Sequence, residues 1–305
     1  MSSRPSSVGP RQQHTRATQA RLRGPSLRLD PRVNAFRTDL ADLALANSLV
    51  APHYVAGVDL QCIAASASMH AAASFGAIQT SELLFGEGFT VFDRIGGWAW
   101  GQCHSDRYVG WVAWSALAQQ HGDCRDQVTA PQGLLFDAPA LKAPIRNILP
   151  CGARLDLGAT DGDYRAVGDG AWIHYRHVAS PVGDPVDTAH AFLGTPYRWG
   201  GRTRAGIDCS GLVQAILGVH GIACPRDTDQ QQAAFPPVDP DQRTRGDLFF
   251  VPGHVGVLVD ATMLLHANAW WMTTVVEPLD AVLNRLGSRN FAVARPPCGR
   301  FAAPL

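Results

Sequence analysis

Residues 206–222 read GIDCSGLVQAILGVHGI. An aspartate and a cysteine lead into a run whose apolar residues recur at helical spacing. That places Cys209 in the first turn of a helix. Two readings stand open for such a thiol. It can fill space in a core, as lone buried cysteines usually do. It can also be a nucleophile, because the unpaired N–H groups and positive dipole at a helix start lower a thiol pKa from about 8.5. The same N–H groups can line an oxyanion hole.

A cysteine nucleophile needs an imidazole, and the imidazole needs an orienting group. Residues 245–270, RGDLFFVPGHVGVLVDATMLLHANAW, supply both. His254 opens one strand and His266 closes the next, with a turn near Asp260-Ala261. Each lies six residues from position 260, so the pairing predicts that they face each other across the ladder, on one side of the sheet. With Cys209 they form a candidate triad.

Around this core the texture is α+β. A helix is expected near 186–193, and strands near 246–251, 254–259, 262–268, 272–276 and 291–295. TPYRWGG, DCSGLV, PRDTDQQ, GDLFFV, GHVGVLVD and LLHANA occur in the order and spacing of the NlpC/P60 cysteine peptidases, which the segment 186–296 resembles. The resemblance implies a papain-like fold with Cys209 as nucleophile, His254 as base and His266 as third polar residue. It also implies a pocket for the amino end of an L-alanyl peptide, built by Asp208, Tyr197, Ser210 and Thr228 and closed by Glu82 and Tyr108. Each has a plainer reading: Asp208 as helix cap, Tyr197 as core, Glu82 as a solvated strand residue.

Upstream, residues 81–113 alternate in short runs broken by Gly96-Gly97 and Ser105-Asp106, with strands expected near 81–85, 88–94, 97–103 and 108–113. This stretch resembles the bacterial SH3 family. Trp98, Trp100, Trp111 and Trp114 suit its core and a domain interface, with an aromatic ligand stripe as the alternative. Residues 126–180 repeat the plan more weakly, which points to a duplicated second barrel. Before both, Phe36, Leu40, Leu43 and Leu49 predict a helix at about 30–48, with Asp30 as cap and Pro31 at the first helical position. The chain therefore divides into an arm at 1–27, a helical segment at 28–50, SH3-like barrels at 51–120 and 121–182, and a catalytic domain at 183–305.

Composition excludes several classes. The 305 residues carry no formal net charge, which speaks against nucleic acid as partner. No apolar run approaches the roughly 20 residues of a membrane helix. The Ser/Arg/Gln-rich start lacks the apolar core of a signal peptide. Seven scattered cysteines without a CxxC pair suggest a reducing, cytoplasmic setting and no metal or other cofactor. The resemblance implies a γ-D-glutamyl–diamino acid endopeptidase acting on short murein peptides. An amidase or acyltransferase on the same scaffold, and a non-catalytic wall-binding protein, are the alternatives.

Overall fold

The computed structural model describes residues 28–119, 124–168, 170–181, 183–287 and 290–297. The expected arm at 1–27 lies outside the described residues. A first β unit contains strands β1 (Val58–Cys62), β2 (Ser66–His70), β3 (Gln79–Leu84), β4 (Gly88–Ile95), β5 (Trp98–Cys103), β6 (Val109–Ala113) and β7 (Leu117–Gln119). They form one sheet in the order β3-β2-β6-β5-β4-β1-β7. Alternate residues such as Met69, Leu83, Phe89 and Val112 point into its core.

The helix predicted at about 30–48 does not form. Asp30 does cap a single turn, with its carbonyl accepting from Asn34 N at 3.0 Å. The chain then continues as turns, a two-residue strand at Ala41–Asp42 and a 3-10 turn at Leu43–Leu45. Packing overrides periodicity here. Ala35 and Leu40 bury against Phe92 and Trp100, and Arg37 lies over the Trp100 ring at 4.6 Å. The segment runs beside β6, where Val109 N donates to Arg32 O at 2.8 Å. Leu43, assigned to the apolar face of that helix, is exposed.

A second β unit contains β8 (Gln132–Phe136), β9 (Ile145–Pro150), β10 (Leu157–Asp161), β11 (Tyr164–Val167) and β12 (Ala171–His174), in the order β9-β8-β12-β11-β10. This is the order β3-β2-β6-β5-β4 of the first unit, strand for strand. In each unit a 3-10 turn also follows the last of these five strands in the chain, at Trp114–Ala116 and Tyr175–His177.

The third unit contains α1 (Pro185–His190), α2 (Cys209–Gly218), α3 (Thr228–Ala234), β13 (Pro237–Val238), β14 (Leu248–Val251), β15 (His254–Leu258), β16 (Met263–Asn268), β17 (Thr273–Pro278), α4 (Leu279–Leu286) and β18 (Ala292–Ala294). Its sheet runs β13-β18-β14-β15-β16-β17. Helix α2 is apolar on nearly every side because it is buried: Leu212, Val213, Ile216 and Leu217 pack on Val255, Val257 and Leu265 of the sheet. The whole is α+β.

Buried ion pairs join the first and third units. Arg202 donates through both terminal nitrogens to Glu87, at 2.9 and 3.0 Å, and to the Glu82 carbonyl at 2.7 Å. Glu87 also accepts from Leu84 N and Ser105 Oγ, so its buried charge is fully engaged.

Gly211 gives this packing a measurable signature. A Cβ there would sit 2.2 Å from the Gly201 carbonyl oxygen of the neighbouring loop. Helix propensity alone favours alanine by about 1 kcal/mol. The clash is with backbone, and overpacking of this kind costs about 1–3 kcal/mol. Gly211→Ala is therefore expected to destabilise the protein. A higher urea midpoint than wild type would contradict the close approach.

Candidate active site

Asp208 caps α2, its Oδ1 accepting from Gly211 N at 2.7 Å. Gly200 N donates to its other oxygen at 2.8 Å. Arg226 then binds both oxygens, at 3.1 and 2.6 Å, while its Nη1 reaches Ser210 Oγ at 2.7 Å and its Nε reaches Ser81 Oγ of β3 at 3.0 Å. Arg226 and Asp208 are buried. The capping residue is thus also half of a bidentate ion pair that extends into the first β unit.

The next residue is Cys209. Backbone N–H groups of Val255 and Ser210 point to its sulfur and lower its pKa, as does Arg226. Burial is the larger effect, with Asp208 adding to it, and the thiol stands at about 11. His254 follows the same logic. Burial and the neighbouring His266 push its imidazole down to about 3. Burial thus works against charge on both side chains.

His254 Nε2 lies 2.7 Å from His266 Nδ1. The two histidines share a sheet face as predicted, but in a different register. β15 and β16 pair Val257 with Leu265 and Leu258 with Leu264, which sets Gly256, not His254, opposite His266. His254 is the diagonal neighbour. The slip of two residues keeps the face because side chains alternate with period two. Gly256 makes the diagonal possible: a Cβ on it would lie 2.9 Å from His266 Cβ.

Beyond His266 stands a carboxylate that the sequence reading missed. His266 Nε2 is 2.7 Å from Glu277 Oε1. Arg285 donates to both Glu277 oxygens, at 2.9 and 2.6 Å, and Trp271 Nε1 donates at 3.3 Å. Burial works to raise the Glu277 pKa, but these hydrogen bonds, with Arg285 foremost, hold it at about 2. Pairing of β16 with β17 sets Leu264 against Glu277 and His266 against Val275, so Glu277 is again a diagonal neighbour. Alternation in TTVVEP carried that signal.

Cys209 opens on a cavity of about 340 Å³, lined also by Tyr108, Tyr197, Asp208, Ser210 and Thr228. Five predicted pocket residues therefore meet at one site. Glu82 does not join them. It is buried at the unit boundary, where Arg202 N donates to its Oε2 at 2.7 Å and the Arg198 guanidinium to its Oε1. A carboxylate inside the boundary needs those donors and has no free face for a ligand. Asp208, too, already accepts at both oxygens. The lining adds residues absent from the prediction: Arg32, Asp227 and Asp229. Tyr108 Oη donates to Asp227 Oδ2 at 3.1 Å, and Arg32 donates to the same oxygen at 2.9 Å. Two guanidinium groups, Arg32 and Arg226, face three carboxylates, Asp208, Asp227 and Asp229, which leaves one net negative charge. Among the described residues no three His, Cys, Asp or Glu side chains are grouped to hold a metal ion. No helix there is long and apolar enough to cross a membrane.

The NlpC/P60 family pattern matches residues 194–279, spanning Cys209, His254 and His266. The chain carries an NlpC/P60 domain. Residues 69–117 match the bacterial dipeptidyl-peptidase SH3 domain, so the NlpC/P60 domain follows an SH3 domain, as expected. The gamma-D-glutamyl-L-lysine dipeptidyl-peptidase of Bacillus cereus is 30% identical over 197 residues, covering 56% of this chain and 59% of that protein. Dipeptidyl-peptidase 6 of Lysinibacillus sphaericus is 38% identical over 97 residues, covering 31% and 35%. The matches thus span 59% and 35% of the length of these relatives. A crystal structure of an NlpC/P60 family protein from Bacillus cereus covers 79% of this chain and 100% of its own, with a TM-score of 0.67 at 22% identity. That likeness shows the shared fold.

Two measurements probe the electrostatics of the NlpC/P60 site. If Cys209 rests as a thiol, its alkylation by iodoacetamide accelerates toward alkaline pH. A rate already flat between about pH 5 and 8 would instead show a preformed thiolate–imidazolium pair. Glu277 has a folded pKa below its unfolded value of about 4.5. Its stabilisation is complete above about pH 4.5 and lost as pH falls toward 2. The stability gap between wild type and Glu277→Gln should therefore narrow from about pH 5.5 to 3, read from urea midpoints.

Proposed function

We propose that the chain is a cysteine endopeptidase that hydrolyses the γ-D-glutamyl–diamino acid bond of short murein peptides bearing a free amino-terminal L-alanine. The observation that carries this reading is the meeting of Cys209, at a helix start where the N–H of Val255, next to His254 in the chain, points to its sulfur, with a cavity of net negative charge walled by the SH3 domain. The likeness to the gamma-D-glutamyl-L-lysine dipeptidyl-peptidase of Bacillus cereus supports it.

His254 Nε2 is engaged by His266, which leaves Nδ1 as the base. As the sulfur attacks the γ-carbonyl of D-glutamate, Nδ1 takes the thiol proton. Proton transfer and attack are coupled, because the buried site disfavours separate charges. The oxyanion forms at the α2 N-terminus, where the Cys209 N–H is an available donor. His254 then protonates the departing amine of the diamino acid. Water resolves the thioester, with the same nitrogen taking its proton, and L-Ala-D-Glu leaves.

The substrate's ammonium sits among Asp208, Asp227 and the hydroxyl of Tyr108. Asp227 contributes what Asp208 has committed to Arg226: an oxygen, Oδ1, on the cavity with Tyr108 Oη 3.4 Å away. Tyr108, Thr80 and Arg32 wall the cavity from upstream of the catalytic domain and limit the chain that can extend past the amino end. This geometry fits short free peptides better than long wall-linked ones. A role in recycling or turnover of such peptides fits that selection, and scattered cysteines without a CxxC pair fit a reducing compartment.

The reading is tested with L-Ala-γ-D-Glu-diaminopimelate and its lysine counterpart. Wild type should release L-Ala-D-Glu, and Cys209→Ala should abolish release. Acetylating the L-alanine should reduce kcat/KM by at least about a hundredfold, since a buried carboxylate then loses its partner. Asp227→Asn should reduce it for the free peptide more than for the acetylated one. Equal rates for both peptides would remove the amine subsite.

A further inference from the structure

A neutral imidazole can act as base only if its proton sits on the other nitrogen. In this site that choice is made three residues away from the sulfur. Glu277 is ionised and can only accept. At 2.7 Å from its Oε1, His266 Nε2 must carry a hydrogen. His266 Nδ1 is then the bare nitrogen, and the 2.7 Å contact requires His254 Nε2 to donate to it. His254 Nδ1 is left unprotonated. Asn268 Nδ2 also lies 2.8 Å from His266 Nε2, with its own oxygen taken by Trp271 N at 2.9 Å. Only a bare Nε2 could accept from Asn268, so the two contacts compete for that nitrogen, and the charge-assisted bond to the Arg285-clamped Glu277 is the stronger and decides the tautomer.

We propose that Glu277, clamped by Arg285, is a positioning residue that sets the tautomers of His266 and His254 and so creates the base for Cys209. The inference rests on the cysteine-peptidase reading of the site, not on its substrate. Without Glu277, His266 can equally donate from Nδ1, which would turn His254 Nε2 into the acceptor and leave a hydrogen on Nδ1, facing the nucleophile. Arg285 has a second effect. Its guanidinium lies over the Trp270 ring at 5.3 Å and neutralises Glu277 from the solvent side. The charged groups that act on the histidine pair are Glu277 from β17 and Arg285 from α4, and those that act on Cys209 are Asp208 beside it and Arg226 against Asp208. Glu277 favours the imidazolium that forms during attack, and Arg285 opposes it.

That opposition separates positioning from mere structure. The pH dependence of Cys209 alkylation by iodoacetamide is measured for wild type, Glu277→Gln and Arg285→Gln, with thermal unfolding of each. Glu277→Gln should slow alkylation at neutral pH, because the thiolate–imidazolium pair that reacts loses the anion that supports the imidazolium. Arg285→Gln should accelerate it, because Glu277 is then uncompensated. With murein peptide, Glu277→Gln should lower kcat by about ten- to a hundredfold, with KM within about twofold. Rate shifts in the same direction, or no shift, overturn the proposal. Should Glu277→Gln fail to fold, the faster alkylation of Arg285→Gln at neutral pH is still required, and its absence is sufficient to overturn it. Opposed alkylation shifts without peptide cleavage would sink the substrate reading and leave this one standing. Cleavage without the shifts would do the reverse.

Discussion

The site depends on the bidentate pair between Asp208 and Arg226. Neither residue touches the scissile bond in the proposed mechanism, yet the placement of the nucleophile follows from them. Asp208 ends the extended backbone and starts α2, which puts Cys209 in the first turn. Arg226 fixes that carboxylate, orders Ser210 and reaches Ser81 across the unit boundary. Burying two charges is unfavourable unless nearly every donor and acceptor is used. Here the cap, the loop at Gly200 and the neighbouring strand use them. Gln231 adds to the same cluster by donating to Ser210 O and Pro225 O.

The other half of the site uses the sheet differently. His254, His266 and Glu277 stand on successive strands, each diagonal to the last. A diagonal step is longer than a direct cross-strand step, about 7–8 Å between neighbours of this kind, and suits side chains the length of histidine and glutamate. The relay therefore needs no loop to hold it. Its rigidity is that of a pleated surface, with Arg285 and Trp271 closing the far end.

The residues of the candidate triad were legible because each announced itself through local chemistry. Asp-Cys before an apolar helix gives a capped thiol, and two strands of matched length give a histidine pair on one face. Register was less legible, since the turn after Val259 shifts the pairing by two without changing the face. The segment 28–50 misled because its apolar spacing fits a helix while its partners, Phe92 and Trp100, are distant in sequence. Glu82 misled for a related reason: nothing local distinguishes a carboxylate that meets a ligand from one that meets Arg198 and Arg202 across a boundary. Asp227 and Glu277 were visible letters without a visible role. What gave them one was geometry between elements, through Tyr108 and Arg32 in one case and His266 in the other.

The buried arginines at the boundary also bear on how such proteins can be assembled over time. Among the described residues the Arg202 side chain finds its acceptors on Glu82 and Glu87, and Arg226 completes its set on Ser81. A peptidase half transplanted beside a different upstream module would carry two guanidinium groups into a contact with no matching oxygens. Exchange of modules by simple recombination is thereby penalised. The two halves are expected to be inherited as one cassette, with any change at Glu87 accompanied by a change at Arg202.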